Sequence, residues 1–410
     1  LAAERLEQQR LAAEQQEASL VEESSLTAKQ EKKSHSGKTE SAPDSQLAPQ
    51  KNTGATTRLG KLLISMTKQT SSRLGGILEA VAPFARNIQP IKSASETKSI
   101  ADSFLLRGDA DLAVQNYTLA LSGKASDASI YLKRAKARDE SGDYQNAILD
   151  YNMAISLNPA DSGAYIARAT SLAARGDKQS ALIDYNKAIE ISPSSEVARF
   201  RRAEILSESG NKQQALIDYS MILQTSPDNV QALYARASVR VDSGYREEAI
   251  SDLDRLISIQ TDHADALFKR GKLRDELGDK PGALEDYTRS LSINRRQASV
   301  LNNRGIVRAS LGDLSGAISD YSKAIELQPT LSSFYNNRGS AFATKGQNRS
   351  AIDDYTKAIR LNPTYSTAYA NRGIAHEALG DLESACKDWK KAKSLGDLHA
   401  KQWADSQCRD

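Results

Sequence analysis

A framework of small, apolar and aromatic positions recurs along this chain every 34 residues. Glycine marks it at Gly108, Gly142, Gly176, Gly210, Gly244, Gly278, Gly312, Gly346 and Gly380, with no insertion between any two. Five residues after each glycine stands an alanine, from Ala113 to Ala385. Four residues further comes an aromatic (Tyr117, Tyr151, Tyr185, Tyr219, Tyr287, Tyr321, Tyr355, Trp389), with Leu253 as the single exception. Proline closes five of the units, at Pro159, Pro193, Pro227, Pro329 and Pro363. A fixed period of this length denotes a stack of like supersecondary units, each touching its neighbours.

The block Ala128–Asp161 predicts two helices per unit. The first runs over Ser129–Ser141 and is stopped by Gly142 in a left-handed conformation. Asp143 then caps the second, Tyr144–Leu157, and Pro159 blocks its continuation. Pro281 falls at the start of a second helix, where a missing N–H costs little. A small residue holds one site on the first helices, at Ala135, Ala169, Ala203, Ala237, Gly271, Gly305, Gly339 and Gly373. Small side chains there let the two helices of a unit approach closely.

We number each unit 1–34 from Ala94. An aromatic or Leu at 4, Gly or Ala at 8, Gly at 15, Ala at 20, an aromatic at 24, Ala at 27 and Pro at 32 resemble the tetratricopeptide repeat (TPR) family. The wording NRG…DYxKAIxLNP resembles its bacterial tandem arrays. The resemblance covers about three quarters of the chain. It implies an all-α fold: a right-handed α-solenoid of nine helix-turn-helix units, at 94–127, 128–161, 162–195, 196–229, 230–263, 264–297, 298–331, 332–365 and 366–399. Leu398–Gln407, with Trp403, resembles the helix that caps the last apolar face of such arrays, which makes 400–410 the end of that helix and a tail. The first unit departs from the pattern, with Thr97 at 4 and Ala125 at 32. Units five and six lack the closing proline (Thr261, Arg295), which predicts looser or differently angled joints around unit six.

Two charged ladders run through the repeats. Position 7 is Arg134, Arg168, Arg202, Arg236, Arg270, Arg304, Arg338 and Arg372; position 23 is Asp150, Asp184, Asp218, Asp252, Asp286, Asp320, Asp354 and Asp388. Unit one lacks both, carrying Ile100 and Asn116. An arginine beside core positions destabilises a fold unless it is paired, so these read first as structural Arg–carboxylate forks. A basic ladder for an acidic ligand is the alternative. Whether each pair forms within a unit or between neighbours stays open, and the joint loss in unit one favours within.

In the family that the pattern resembles, positions 2, 5, 6, 9, 12 and 13 of the first helix line a concave face. Carried over by position, Leu132, Ile166, Phe200, Tyr234 and Phe268 form an apolar strip in units two to six. Asn302, Asn303, Asn336, Asn337 and Asn371 form an asparagine ladder in units seven to nine. A carboxamide donates and accepts, so a row of them can hold an extended peptide backbone without reading its sequence, and apolar pockets supply side-chain selectivity. The ladder resembles that of the O-linked N-acetylglucosamine transferase family, though three units long. The alternative is that the aromatics pack on the next first helix and the amides are solvated. The carboxylate clamp of chaperone-binding TPR domains is missing: Lys98 is followed by Asp102, and position 2 is never Lys.

Charge adds little. The net charge of +3 argues against a strongly electrostatic nucleic-acid binder. Residues 1–93 hold the surplus, with 13 Lys/Arg against 10 Asp/Glu, and leave the repeats neutral. Segment 1–23 reads as a charged helix and 24–57 as a disordered linker. Segment 58–93 begins with a basic amphipathic stretch, where Arg58, Lys61, Lys68, Arg73 and Arg86 face a single acid, Glu79. Such a stretch can lie on an anionic membrane, dock on a partner or cap the solenoid. Cys386 and Cys408 make no disulfide framework; they read as one buried small apolar residue and one free thiol in the tail. His35, His263, His376 and His399 have no metal-ligand spacing, and no nucleotide loop or nucleophile–base signature occurs. The expectation is a non-catalytic interaction scaffold without cofactor or metal, binding a peptide or partner helix, not nucleic acid, with a cytoplasmic or membrane-associated location. The competing readings are a membrane-tethered assembly factor anchored by 58–86, and the interaction region of a longer enzyme whose catalytic part precedes Leu1.

Overall fold

The computed structural model describes residues 93–123 and 127–408. The segments 1–23, 24–57 and 58–92, with the predicted amphipathic stretch, lie outside the described residues. Nine helix pairs follow one another: α1 Ala94–Leu106 and α2 Ala110–Gly123, α3 Ala128–Glu140 and α4 Tyr144–Leu157, α5 Ser162–Ala174 and α6 Lys178–Ile191, α7 Glu196–Glu208 and α8 Lys212–Thr225, α9 Val230–Asp242 and α10 Arg246–Ile259, α11 Ala264–Glu276 and α12 Lys280–Ile293, α13 Ala298–Ser310 and α14 Leu314–Leu327, α15 Ser332–Thr344 and α16 Asn348–Leu361, α17 Ser366–Glu377 and α18 Leu382–Ser394. A last helix, α19 Leu398–Gln407, follows the ninth pair. The described part is an all-α repeat solenoid. Among the described residues no helix is long and apolar enough to cross a membrane.

The turn inside each pair is set by one residue. The glycine at position 15 has a positive φ in every unit, 77° at Gly142 and 90° at Gly278, where a Cβ would clash with its own backbone. Around it the chain closes a Schellman motif: Gly142 N–H donates to the Asp139 carbonyl at 3.0 Å and Asp143 N–H to that of Arg138 at 2.8 Å. Asp143 then accepts from Asn146 N–H and caps α4. Above the turn the two helices touch. The position-20 alanines are fully buried, as are the position-24 rings. At Gly305 an added Cβ would come 2.7 Å from Tyr321, so ring and backbone are already in contact.

The arginines and aspartates meet inside their own unit. Nε and Nη2 of each position-7 arginine straddle the two carboxylate oxygens sixteen residues on, at 2.5–3.0 Å in all eight units from Arg134–Asp150 to Arg372–Asp388. The aspartates are at most 6% exposed, so the guanidinium is what keeps each charge compensated. The same arginine also reaches backward. Its Nη1 bonds position 25 of the preceding unit in all eight cases, at 2.6–3.4 Å: Thr118, Asn152, Asn186, Ser220, Asp254, Thr288, Ser322 and Thr356. One side chain therefore closes a unit and fastens it to its neighbour. In four units a second arginine, one turn along the first helix, joins the carboxylate: Arg138, Arg240, Arg274 and Arg308, at 2.6–2.9 Å.

Of the three joints without proline, the first, at Ala125, lies outside the described residues, and the other two differ. At Thr261 the usual turn persists, because His263 takes the N-cap role and Nδ1 accepts from Ala266 N–H at 3.2 Å. Arg295–Arg296 lies in a more open connection, and Gln297 makes no side-chain cap bond for α13. Proline at position 32 is thus dispensable where a cap survives.

The cysteines overturn the sequence expectation. Cys386 and Cys408 form a disulfide, with Cα atoms 5.5 Å apart. The reason lies in the last helix: α19 folds back over α18, with Trp403 against Trp389 at 5.8 Å, and this returns Cys408 to Cys386. Ala400 and Ala404 seal the same face.

Arg338→Ala strips Asp354 of its fork in a unit whose position 11 is Phe342, whereas Arg304→Ala leaves Asp320 with Arg308 at 2.9 Å. We expect a loss of about 3 kcal/mol or more for the first and roughly half that for the second, read from urea midpoints. Equal losses would show that the second arginine contributes nothing. Closing a loop of this length stabilises by about 3 kcal/mol, so Cys408→Ser or a reductant should speed tryptic cleavage at Lys401 while leaving earlier units protected. An unchanged cleavage rate would mean that Trp403 alone holds the cap.

Candidate functional site

The helices of each pair have unequal neighbours. First helices of adjacent units touch at α3–α5, α5–α7, α11–α13, α13–α15 and α15–α17, and no two second helices come as close. In a curved stack the more closely spaced layer is the inner one, so the first helices line the concave side. Positions 5 and 6 face the joints of that layer.

The apolar strip is half-buried rather than free. Leu132, Ile166, Phe200, Tyr234 and Phe268 each pack against the core of their own part of the stack. Phe200 meets Tyr219 edge-on at 5.5 Å, and Phe268 lies 5.9 Å from Tyr287. Tyr234 is stacked on His263, at 5.3 Å, and lies 4.9 Å from the ammonium of Lys269. Lys269 also donates to Ser238 at 2.9 Å, and burial holds its pKa below the usual lysine range.

The α7–α9 pair is absent from the touching set, and a cavity of about 420 Å³ opens between them. Phe200, Val197 and Ile222 supply its apolar wall; Glu196, Asn229 and Gln231 border it. Val197 is 58% exposed, an uncommon state for a valine beside a core. Glu196 is held by Ser226 and, at 3.0 Å, by Asn229. A second cavity of about 390 Å³ adjoins on the α5 side, walled by Ala173, Tyr185 and Ile205. The two share Arg201 and Glu204, which pair with each other at 2.9 Å. The result is two hollows of mixed apolar and polar lining, divided by a neutralised ion pair.

The asparagines form a single chain of amides. Asn371 donates to Asn336 at 3.2 Å, Asn336 to Asn337 at 3.5 Å, Asn337 to Asn302 at 3.0 Å and Asn302 to Asn303 at 3.3 Å. Two of these links cross a joint, since position 5 of one unit faces position 6 of the next. The amides are thus neither merely solvated nor wholly free. Each of the four donors keeps one N–H, and Asn303 donates to none of the other asparagines. Asn303 lies beside Tyr287, whose buried hydroxyl has no well-formed partner. The surface around the chain carries one charge over units seven to nine: Ser299, Ser310, Ser333, Ser340, Thr344 and Thr367 occupy the remaining polar inner positions, and Glu377 is the lone acid.

Three functional elements escape a reading of types alone: the backward bond to position 25, the second arginine at position 11 and the amide-to-amide links. The second had a signal, because positions 7 and 11 lie one turn apart on one face.

No curated protein matches the chain. Solved structures with a similar course include YrrB, described as a TPR protein with an unusual peptide-binding site: 23% identity, 45% of this chain and 95% of that one, TM-score 0.42. A tetratricopeptide repeat protein from Parabacteroides merdae gives 24% identity over 60% of this chain and 99% of that one, TM-score 0.45. A TPR-containing protein from Cytophaga hutchinsonii gives 14% identity over 67% and 98%, TM-score 0.46. Two family models match directly: "Tetratricopeptide repeat" over residues 132–196 and "TPR repeat" over 307–346 and 339–380. Residues 132–196 and 307–380 are thus tetratricopeptide repeats, and the same helix pair recurs without insertion between and beyond them.

Proposed function

We propose that this interaction scaffold holds an extended peptide along its inner face. The amide chain of units seven to nine carries the reading. A peptide backbone offers N–H and C=O groups at regular intervals, and carboxamides answer both. Because the amides already bond one another, their orientation is fixed before a ligand arrives, and less side-chain freedom is lost on binding. The nearly uncharged inner surface there suits a main chain rather than a charged terminus. The hollows beside Phe200 lie further along the same layer and suit one or two apolar side chains, with Arg201 and Glu204 between them.

Peptides selected from a random displayed library on the full-length chain test this. Replacing Asn303, Asn337 and Asn371 by alanine should weaken the selected peptides at least tenfold. Phe200→Ala should weaken only those bearing a large apolar residue, and C-terminal amidation of the peptides should change nothing. Undiminished affinity in the triple variant would sink the backbone-grip reading. Because Asn337 also bridges two units, its replacement should lower the melting midpoint slightly, by about 1 kcal/mol of stability.

A further inference from the structure

The sixth joint carries a different chemistry. Where α12 passes into α13, a cavity of about 390 Å³ is lined by Thr288, Ser292, Arg295, Arg304 and Lys323 over a floor of buried Leu301. No acidic residue lines it. Three cations converge on one hollow, and only one of them is compensated: Arg304 is held by Asp320. Among the described residues the side chains of Arg295 and Lys323 have neither a hydrogen bond nor an ion pair.

The repeat makes the anomaly legible. Lys323 stands at position 26, where two arginines of the preceding units bond the loop before them, while Lys187 pairs with Glu190 on its own helix at 2.8 Å. Arg255 caps the preceding loop, bonding the Pro227 carbonyl at 2.9 Å and Asp228 at 2.7 Å. Arg289 reaches the Thr261 carbonyl at 3.4 Å. Both loops offer an acceptor at position 32. At the sixth joint position 32 is Arg295, whose side chain brings a second cation to the loop, on the connection that lacks the usual turn and cap. The donors are ready for an anion. Thr288 accepts from Arg304 Nη1 at 3.4 Å and so keeps its own hydrogen, while Ser292 has given its hydrogen to the Arg289 carbonyl.

We propose that this joint is a binding site for a phosphate monoester group. Two uncompensated cations match the charge of about −1.5 to −2 that such a group carries at neutral pH; a carboxylate would neutralise one and leave the other. The two remaining N–H groups of Arg304 and the hydroxyl of Thr288 complete the set of donors. The group is either free phosphate or a phosphorylated side chain of a protein partner. The site shares no residue with the amide chain and stands apart from peptide binding there.

Equilibrium dialysis of the full chain against labelled orthophosphate, at fixed ionic strength, tests the site. We expect saturable binding of one phosphate per chain. Arg295→Ala or Lys323→Ala should weaken it at least tenfold. Lys357→Ala, the same position one unit on, where the preceding loop carries Pro329, should leave it unchanged. Arg295 and Lys323 are exposed and Lys357 is half-buried, and circular dichroism checks that each variant stays helical. Competition separates the sources: a short phosphoserine peptide that binds more tightly than orthophosphate identifies a phosphorylated partner, and one that binds more weakly identifies the free anion. No saturable binding, equal weakening by Lys357→Ala, or displacement by the unphosphorylated peptide would each overturn the proposal.

Discussion

The arginine at position 7 is the constraint on which the stack depends. A solenoid has no central core, so each unit is held only by what it shares with its neighbours. A buried carboxylate in such a thin structure is costly unless it is fully bonded. Here two N–H groups of a guanidinium satisfy both oxygens of the aspartate, and another turns back to the preceding unit. The rigid fork that suits the carboxylate also fixes where the backward donor points. Internal packing and the register between units are thereby set by one side chain, which an ammonium at the same place could not do.

That coupling determines what the inner face can present. With the register fixed, position 5 of one unit always confronts position 6 of the next, whatever residues stand there. Leucine or phenylalanine at position 5 fills the joint with apolar contact, as in units two to six. Asparagine at both positions fills it with hydrogen bonds, and the amides run into a chain from Asn371 to Asn303. The same geometry yields two surfaces, one with hollows for side chains and one with donors and acceptors for a backbone.

The framework was legible because it depends on residue type. Only glycine takes the positive φ at position 15 at no cost, and only a small residue fits under Tyr321 at position 8, so those letters recur. The backward bond was hidden for the opposite reason. Any acceptor satisfies it, so position 25 varies among Thr, Asn, Ser and Asp and shows no repeat of letters. The disulfide was hidden by distance along the chain: nothing local relates Cys386 to Cys408 until α19 has folded over Trp389. The amide links needed knowledge of which positions meet across a joint, which the period alone does not supply.

The places free to change are those the fork leaves slack. Position 32 closes a turn outside the core, and the fifth joint shows that proline can be lost there without altering the turn, provided that a residue such as His263 still caps the next helix. At the sixth joint the cap is lost as well, and the released space is lined with charge rather than filled with apolar side chains. If slack alone governed such a site, a polar but neutral residue would serve at least cost, since two unpartnered cations beside one cavity repel each other. Their coexistence is inexpensive in water and becomes favourable only when an anion joins them. Repeat architecture thus separates two kinds of position: those whose chemistry is dictated by the neighbouring unit, and those whose chemistry is left to a ligand.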